Sequence, residues 1–176
     1  MSDWTAYLRP NVYLRDVAFS DLGDFFDLEH GRSPPIGAAK PRRKELIAYC
    51  AQWISSLMDV ASVNRTLVWN NEIAGYVRCS NMTDQPALQL FIGQPHRRQG
   101  LGLQALRETL RHVLTRPILA KADMGNLPAI RLLERCGFER CQTDNIVVHD
   151  PEELVFELQR HSPAPAPCPD LPGYWP

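Results

Sequence analysis

Along this chain the spacing of apolar positions switches repeatedly between two residues and three to four, and each switch marks an element boundary. Val12, Leu14 and Asp16 to Val17 alternate as a short first strand. Ser20 stands as N-cap to a helix whose Leu22, Phe25, Phe26 and Glu29 share one face, and Gly31 stops it. A longer second helix is predicted after Pro41, because Ile47, Ala51, Ile54 and Met58 fall at helical spacing. Thr66 to Asn70 and Ile73 to Cys79 flank Asn71-Glu72 and read as a hairpin, and Leu88, Leu90 and Ile92 give the next strand. Leu103, Leu106, Leu110, Val113 and Leu114 form a helical stripe, followed by a short strand at Ile118 to Lys121. Ala129 to Arg135 is a helix closed by Gly137, and Phe138 to Thr143 and Leu154 to Leu158 finish as strands.

The predicted order is therefore β, α, α, β, β, β, α, β, α, β, β, a mixed sheet with helices on its faces. A wholly parallel doubly wound sheet is disfavoured. One α/β domain of the α+β kind is expected over residues 1–160, and a Pro-rich tail over 161–176, where proline alternates with small residues. Pro34, Pro35 and Pro41 mark an irregular loop.

The composition fits that single core: 176 residues, 44% hydrophobic and 22% charged. Nineteen basic against twenty acidic residues leave a net charge of -1, so no global field gathers DNA or an anionic membrane, and neither partner is expected. No apolar run reaches the roughly 20 residues of a membrane helix, and Met1 to Pro10 has no signal-peptide pattern, which makes a cytoplasmic protein the expectation. The five cysteines include no C-x-x-C pair, so neither a disulfide framework nor a metal site is predicted; Cys50, Cys79 and Cys136 read as core or near-core thiols.

Chemistry concentrates in Leu88 to Leu106, LQLFIGQPHRRQGLGLQAL: a strand, a basic glycine-containing turn, then an amphipathic helix. Gly100 and Gly102 remove Cβ where backbone can approach a phosphate, first-turn N–H groups lack intrahelical partners, and Arg97 and Arg98 add positive charge. The same residues also read as a glycine turn with two solvated arginines. Gly100 to Ala105 formally matches the dinucleotide fingerprint G-x-G-x-x-A, with Asp123 near the position of a ribose-binding acid. Gln94 to Gln99 separates strand from glycine, however, and only 74 residues remain after Gly102 to complete such a sheet.

Arg97-Arg98-Gln99-Gly100-Leu101-Gly102 instead resembles the [RQ]-x-x-G-x-[GA] signature of the GNAT superfamily of acetyl-CoA-dependent N-acetyltransferases. About 25 residues on, Asn126 to Phe138 (NLPAIRLLERCGF) is similar to the family's N-x-x-[AS]-x-x-L-[YL]-E-[KR]-x-G-F. The resemblance covers most of Val12 to Arg160, with Leu14-Arg15, Gly75 to Val77 and the closing EELVFEL strand included. It implies one GNAT-like domain: a central, mostly antiparallel sheet of six to seven strands with about four helices, either monomeric or a homodimer.

The resemblance also implies roles. Acetyl-CoA is the co-substrate, its pyrophosphate on Arg97, Arg98, Gln99, Gly100, Leu101 and Gly102, its pantetheine arm along Phe91 and Ile92, and Asn126 and Leu133 at cofactor-contacting positions. A backbone N–H of Ile92 or Phe91 would meet the thioester oxygen. Leu133 occupies the place where many members carry a Tyr that protonates the leaving thiolate, and the Leu version resembles the branch that acetylates N-terminal amines of ribosomal proteins. The acceptor is a primary amine, on a protein N-terminus or a small molecule; the alternative is a non-catalytic acyl-CoA-binding regulatory module. Glu29, Tyr76 and Ser80 are candidates for the chemistry; Asp24 and Asp27 could attract a cationic amine or form a solvated acidic face. His96 is expected at the surface, Asp24 to Lys44 and Asp144 to Glu153 are expected to line the acceptor site, and Lys40 to Lys44 is a basic cluster.

Overall fold

A computed structural model of the chain describes residues 12–31, 41–80, 86–141 and 152–159, with the backbone alone at 41 and 42. The Pro-rich tail, Pro34-Pro35, Lys40, Cys168 and residues 144–151 lie outside the described residues. In chain order the elements are β1 (Val12–Asp16), α1 (Asp21–His30), α2 (Pro41–Met58), β2 (Val63–Trp69), β3 (Glu72–Ser80), β4 (Ala87–Ile92), α3 (Leu101–His112), β5 (Ile118–Asp123), α4 (Leu127–Arg135), β6 (Glu139–Arg140) and β7 (Glu153–Leu158). This is the predicted succession. The strands make one seven-stranded sheet in the order β1-β2-β3-β4-β5-β7-β6. All neighbours are antiparallel except β4 and β5.

Alternation along the strands splits the interior in two. On one face Val77, Cys79, Leu88, Ile118, Ala120 and Phe156 pack against Leu103, Leu106 and Leu110 of α3 and Leu133 of α4. On the other, Tyr76 packs against Leu22 and Phe25 of α1 and Trp53 of α2. Among the described residues no helix is long and apolar enough to cross a membrane.

Several local expectations are corrected. The stripe chosen for α2 faces outward: Ile47 is 59% exposed and Met58 74%, while Trp53 and Ser56 are buried and Tyr49 and Cys50 half-buried. Two stripes at helical spacing run along this helix, and the aromatic one wins because α1 and β3 supply rings to receive it. Leu114 is exposed because α3 ends at His112 and the chain turns extended at Val113. The hairpin turn is centred on Asn70-Asn71, not Asn71-Glu72, since both asparagines take positive φ, 51° and 65°.

Ser20 does not cap α1 with its side chain. Asp21 organises that end instead. Its carboxylate accepts both Arg15 guanidinium nitrogens, Nη1 at 2.6 Å and Nη2 at 2.8 Å, the Thr66 hydroxyl at 2.7 Å and the Ala18 N–H at 3.0 Å. Burial alone would raise this carboxyl, but those donors hold it below its ordinary range. The helix is thereby fixed to β1 and β2. Gly75 fixes the next junction: β2 slips register between Leu67 and Val68, and a Cβ at Gly75 would lie 2.0 Å from the Phe91 carbonyl oxygen.

Candidate functional site

The site begins where two parallel strands part. β4 pairs with β5 only at Ala87 and Leu88, opposite Leu119 and Ala120. The Leu119 N–H donates to the Pro86 carbonyl at 2.7 Å, and on the other edge the Gly93 N–H donates to Ala74 at 2.9 Å. Because backbone groups alternate along a strand, even-numbered residues of β4 address β5 and odd-numbered ones address β3. Beyond Leu88 the backbone groups of Leu90 and Ile92 therefore open onto the gap between the strands. Phe91, expected to share that role, turns its carbonyl toward Gly75 of β3. Its side chain lies on the α1–α2 face, with its ring stacked on Tyr76 at 5.6 Å.

A short 3-10 turn at Gln94–His96 leads from β4 to the signature turn. The Arg97 Nε donates to the Ile92 carbonyl at 3.0 Å, so of Ile92's two backbone groups the N–H is the one left facing the gap. Arg98 and Gly100 take positive φ, 61° and 76°, and Gly100 is the left-handed N-cap from which α3 starts. Only glycine adopts that conformation without strain. Leu101, Gly102 and Leu103 thus present first-turn N–H groups at a helix N-terminus, and the side chains of Arg97, Arg98 and Gln99 are exposed beside them. This arrangement suits a pyrophosphate. Gly102 is also buried, and a Cβ there would stand 3.1 Å from Ile92 Cδ1 and 3.2 Å from Leu132 Cδ2. Its small size seats α3 on the sheet.

His96 is buried, not at the surface, with its ring edge-on to Trp69 at 5.8 Å. Asn126 caps α4, its Oδ1 accepting the Ala129 N–H at 3.2 Å. Leu133 is a core residue, 6% exposed, and its carbonyl receives the Phe138 N–H at 3.1 Å across Gly137, which has a φ of 86°. Asp123 accepts the Gly125 N–H at 2.7 Å in the turn after β5.

Across the sheet from α3 the structure joins residues that sequence reasoning left scattered. Glu29, in the last turn of α1, accepts the Tyr76 hydroxyl at 2.9 Å and the Tyr49 hydroxyl at 2.5 Å, both at Oε1. The Gln89 amide reaches the Tyr76 hydroxyl at 3.4 Å. Phe25 packs its ring 5.0 Å from Tyr76 and 5.1 Å from Trp53, so the carboxylate stands against an aromatic wall. Burial, followed by the hydrogen bond to Glu29 for Tyr49 and by the charge of Glu29 for Tyr76, pushes both tyrosines above their ordinary range, so they remain hydroxyl donors at neutral pH. The turn bearing Glu29 is pressed against the end of β4, since a Cβ at Gly93 would come within 2.5 Å of Leu28 Cδ2.

Ser80 lies on the same sheet face as Tyr76 but four residues further along β3, about 13 Å away at strand rise. It does not join the cluster. Asp24, Arg43 and Lys44 are exposed. Tyr49 was missed from the sequence; its signal was the i, i+4 aromatic pair with Trp53, which competed with the aliphatic stripe on α2.

The family described as Acetyltransferase (GNAT) family matches residues 25–138. No curated protein matches the sequence. Among solved structures, a ribosomal L7/L12 α-N-protein acetyltransferase in complex with coenzyme A is 12% identical at a TM-score of 0.65, covering 86% of this chain and 95% of its own. Spermidine N-acetyltransferase from Vibrio cholerae, in complex with CoA and spermine, is 15% identical at 0.64, covering 86% and 97%. RimJ from Mycobacterium smegmatis, in complex with CoA-disulfide, is 17% identical at 0.63, covering 84% and 81%. At such identities the likeness is one of fold.

Proposed function

The chain belongs to the GNAT family of acetyl-CoA-dependent N-acetyltransferases, and from that premise we propose that it transfers acetyl directly to a primary amine held at Glu29. The observation that carries this reading is the parting of β4 from β5 after Leu88, immediately ahead of the helix N-terminus at Gly100. A parted strand offers backbone groups to an extended amide-bearing arm, and the helix N-terminus offers N–H groups to phosphate. Leu90 and Ile92 hold the arm, while Arg97 to Leu103 hold the pyrophosphate. This favours direct transfer over a dinucleotide enzyme.

In the reaction, the Ile92 N–H donates to the thioester oxygen as negative charge gathers there. The amine nitrogen bonds to the carbonyl carbon, the carbon–sulfur bond breaks, and sulfur leaves with the electron pair. Glu29 orients the amine and receives its proton. Tyr49 and Tyr76 occupy Oε1, which fixes the carboxylate plane and directs Oε2 to the substrate. Leu133 has no proton to give and sits in the core, so CoA departs as the thiolate, which the ordinary thiol pKa of about 8.5 makes accessible. The likeness to acetyltransferases of ribosomal proteins and of spermidine supports both a protein N-terminus and a small amine as acceptors.

The test is calorimetric titration with acetyl-CoA, using NADH as comparison, followed by an amine screen that reads thiol release. Micromolar acetyl-CoA binding with amine-dependent thiol release is expected. Binding without release by any amine would replace the enzyme with an acyl-CoA-binding module, and absence of binding would remove the assigned site.

A further inference from the structure

Arg78 stands two residues beyond Tyr76 on the same face of β3, and its charge has no described use. Its guanidinium carbon lies 5.4 Å from the centre of the Trp53 ring, and that ring is 4.8 Å from the ring of Tyr76. The Arg78 Nε is buried and has no hydrogen-bond acceptor, and among the described residues no carboxylate pairs with this side chain. Among the described residues this half-buried cation has no counter-charge, and the stacking on Trp53 offsets part of the loss of water around the guanidinium. Gln89, directly opposite Arg78 in the β3–β4 register, is exposed and reaches back to the Tyr76 hydroxyl, so Glu29 is linked through Tyr76 and Gln89 to the neighbourhood of Arg78. Burial and Glu29 push the Tyr76 hydroxyl upward and the Arg78 charge opposes them, so both charged groups act on this one hydroxyl.

We propose that Arg78 is an anion-binding subsite of the acceptor cleft, so that the preferred acceptor is zwitterionic: an amine at Glu29 and a carboxylate at Arg78. This rests on the acetyl-transfer reading above. A carboxylate bonded to the Tyr76 hydroxyl and a guanidinium next along the same face of β3 are complementary to an acceptor that carries both an ammonium and a carboxylate. An extended dipeptide carries its amine nitrogen and terminal carboxylate about 7 Å apart, the span of two extended residues. A peptide N-terminus with an acidic second residue offers a carboxylate at comparable reach. A polyamine offers only positive charge and would set an ammonium against Arg78, at a cost in affinity. The guanidinium is suited to the task because its two-pronged donor face matches a carboxylate.

Glycyl-glycine and glycyl-glycinamide, which differ in the terminal charge, are the probes. With the full chain and acetyl-CoA, thiol release should show a KM at least tenfold lower for glycyl-glycine, with similar kcat. Arg78→Gln should erase the KM difference between the two dipeptides, whereas Arg78→Lys, which keeps the charge, should retain part of it. Equal KM values for the two dipeptides on the unaltered protein, a preference for spermidine over both, or a preference that survives Arg78→Gln would overturn the proposal. Calorimetry of the two N-acetylated dipeptides on CoA-loaded protein reads the same preference without turnover. If the carboxylate form binds more tightly there while no amine is acetylated, the subsite stands and the transfer reading fails; equal binding sinks the subsite alone.

Discussion

The Tyr76 hydroxyl donates to Glu29 Oε1 across 2.9 Å, tying the middle of β3 to the last turn of α1 beside the end of β4. That bond and its Tyr49 counterpart turn a carboxylate on a helix surface into a fixed group. The consequences divide cleanly between chemistry and binding.

Glu29→Gln keeps the shape of the side chain and can still accept from the tyrosines, but cannot take a proton. Turnover should fall about 100-fold or more, in the range that a positioned base supplies. Acetyl-CoA affinity should be unchanged, since the cofactor turn lies beyond β4. Calorimetry and thiol-release assays on one preparation check both, and undiminished turnover would remove Glu29 from the mechanism.

Gly100→Asp tests the phosphate turn. Aspartate tolerates the left-handed conformation better than most residues, so the melting temperature should move little, while its charge opposes a pyrophosphate. Acetyl-CoA affinity should drop at least about 100-fold, a loss of about 2.7 kcal/mol. Full affinity in a folded variant would place the pyrophosphate elsewhere.

Two glycines should respond in opposite directions to alanine. At Gly75 the new Cβ would meet the Phe91 carbonyl at 2.0 Å, and the backbone of β4 must move, so a loss of about 3 kcal/mol is expected. At Gly23, inside α1, nothing lies within 4 Å, and alanine should gain about 0.5–1 kcal/mol from helix propensity. Urea midpoints measure both.

Asp21 should make stability depend on acid. Its carboxyl is held below its ordinary value of 3.8, so the folded state binds the proton less readily than the unfolded chain. The contribution is complete above that ordinary value and is lost as pH falls through the lowered folded value. Asp21→Asn should therefore cost about 1–3 kcal/mol at pH 7, and the gap to the unaltered protein should narrow below pH 4. A constant gap from pH 7 to pH 3 would show that the Arg15 pairing contributes nothing.

Periodicity and turn residues determined the element order, and two ordered motifs determined the family, because those signals are local. Gly100 needs its left-handed backbone whatever surrounds it, and Gly137 closes α4 by donating to the Glu134 carbonyl and letting the Phe138 N–H reach Leu133. Which stripe of α2 is buried was a tertiary matter, decided by the rings of Phe25 and Tyr76 that wait beneath it. The hydrogen-bonding side of Ile92 followed from strand partners distant in sequence, Ala74 on one edge and Leu119 near the other. Glu29, Tyr49 and Tyr76 come from three different elements, 47 residues apart at the extremes. No spacing rule links them, since only the packing of α1 and α2 onto one sheet face brings their oxygens within hydrogen-bond reach.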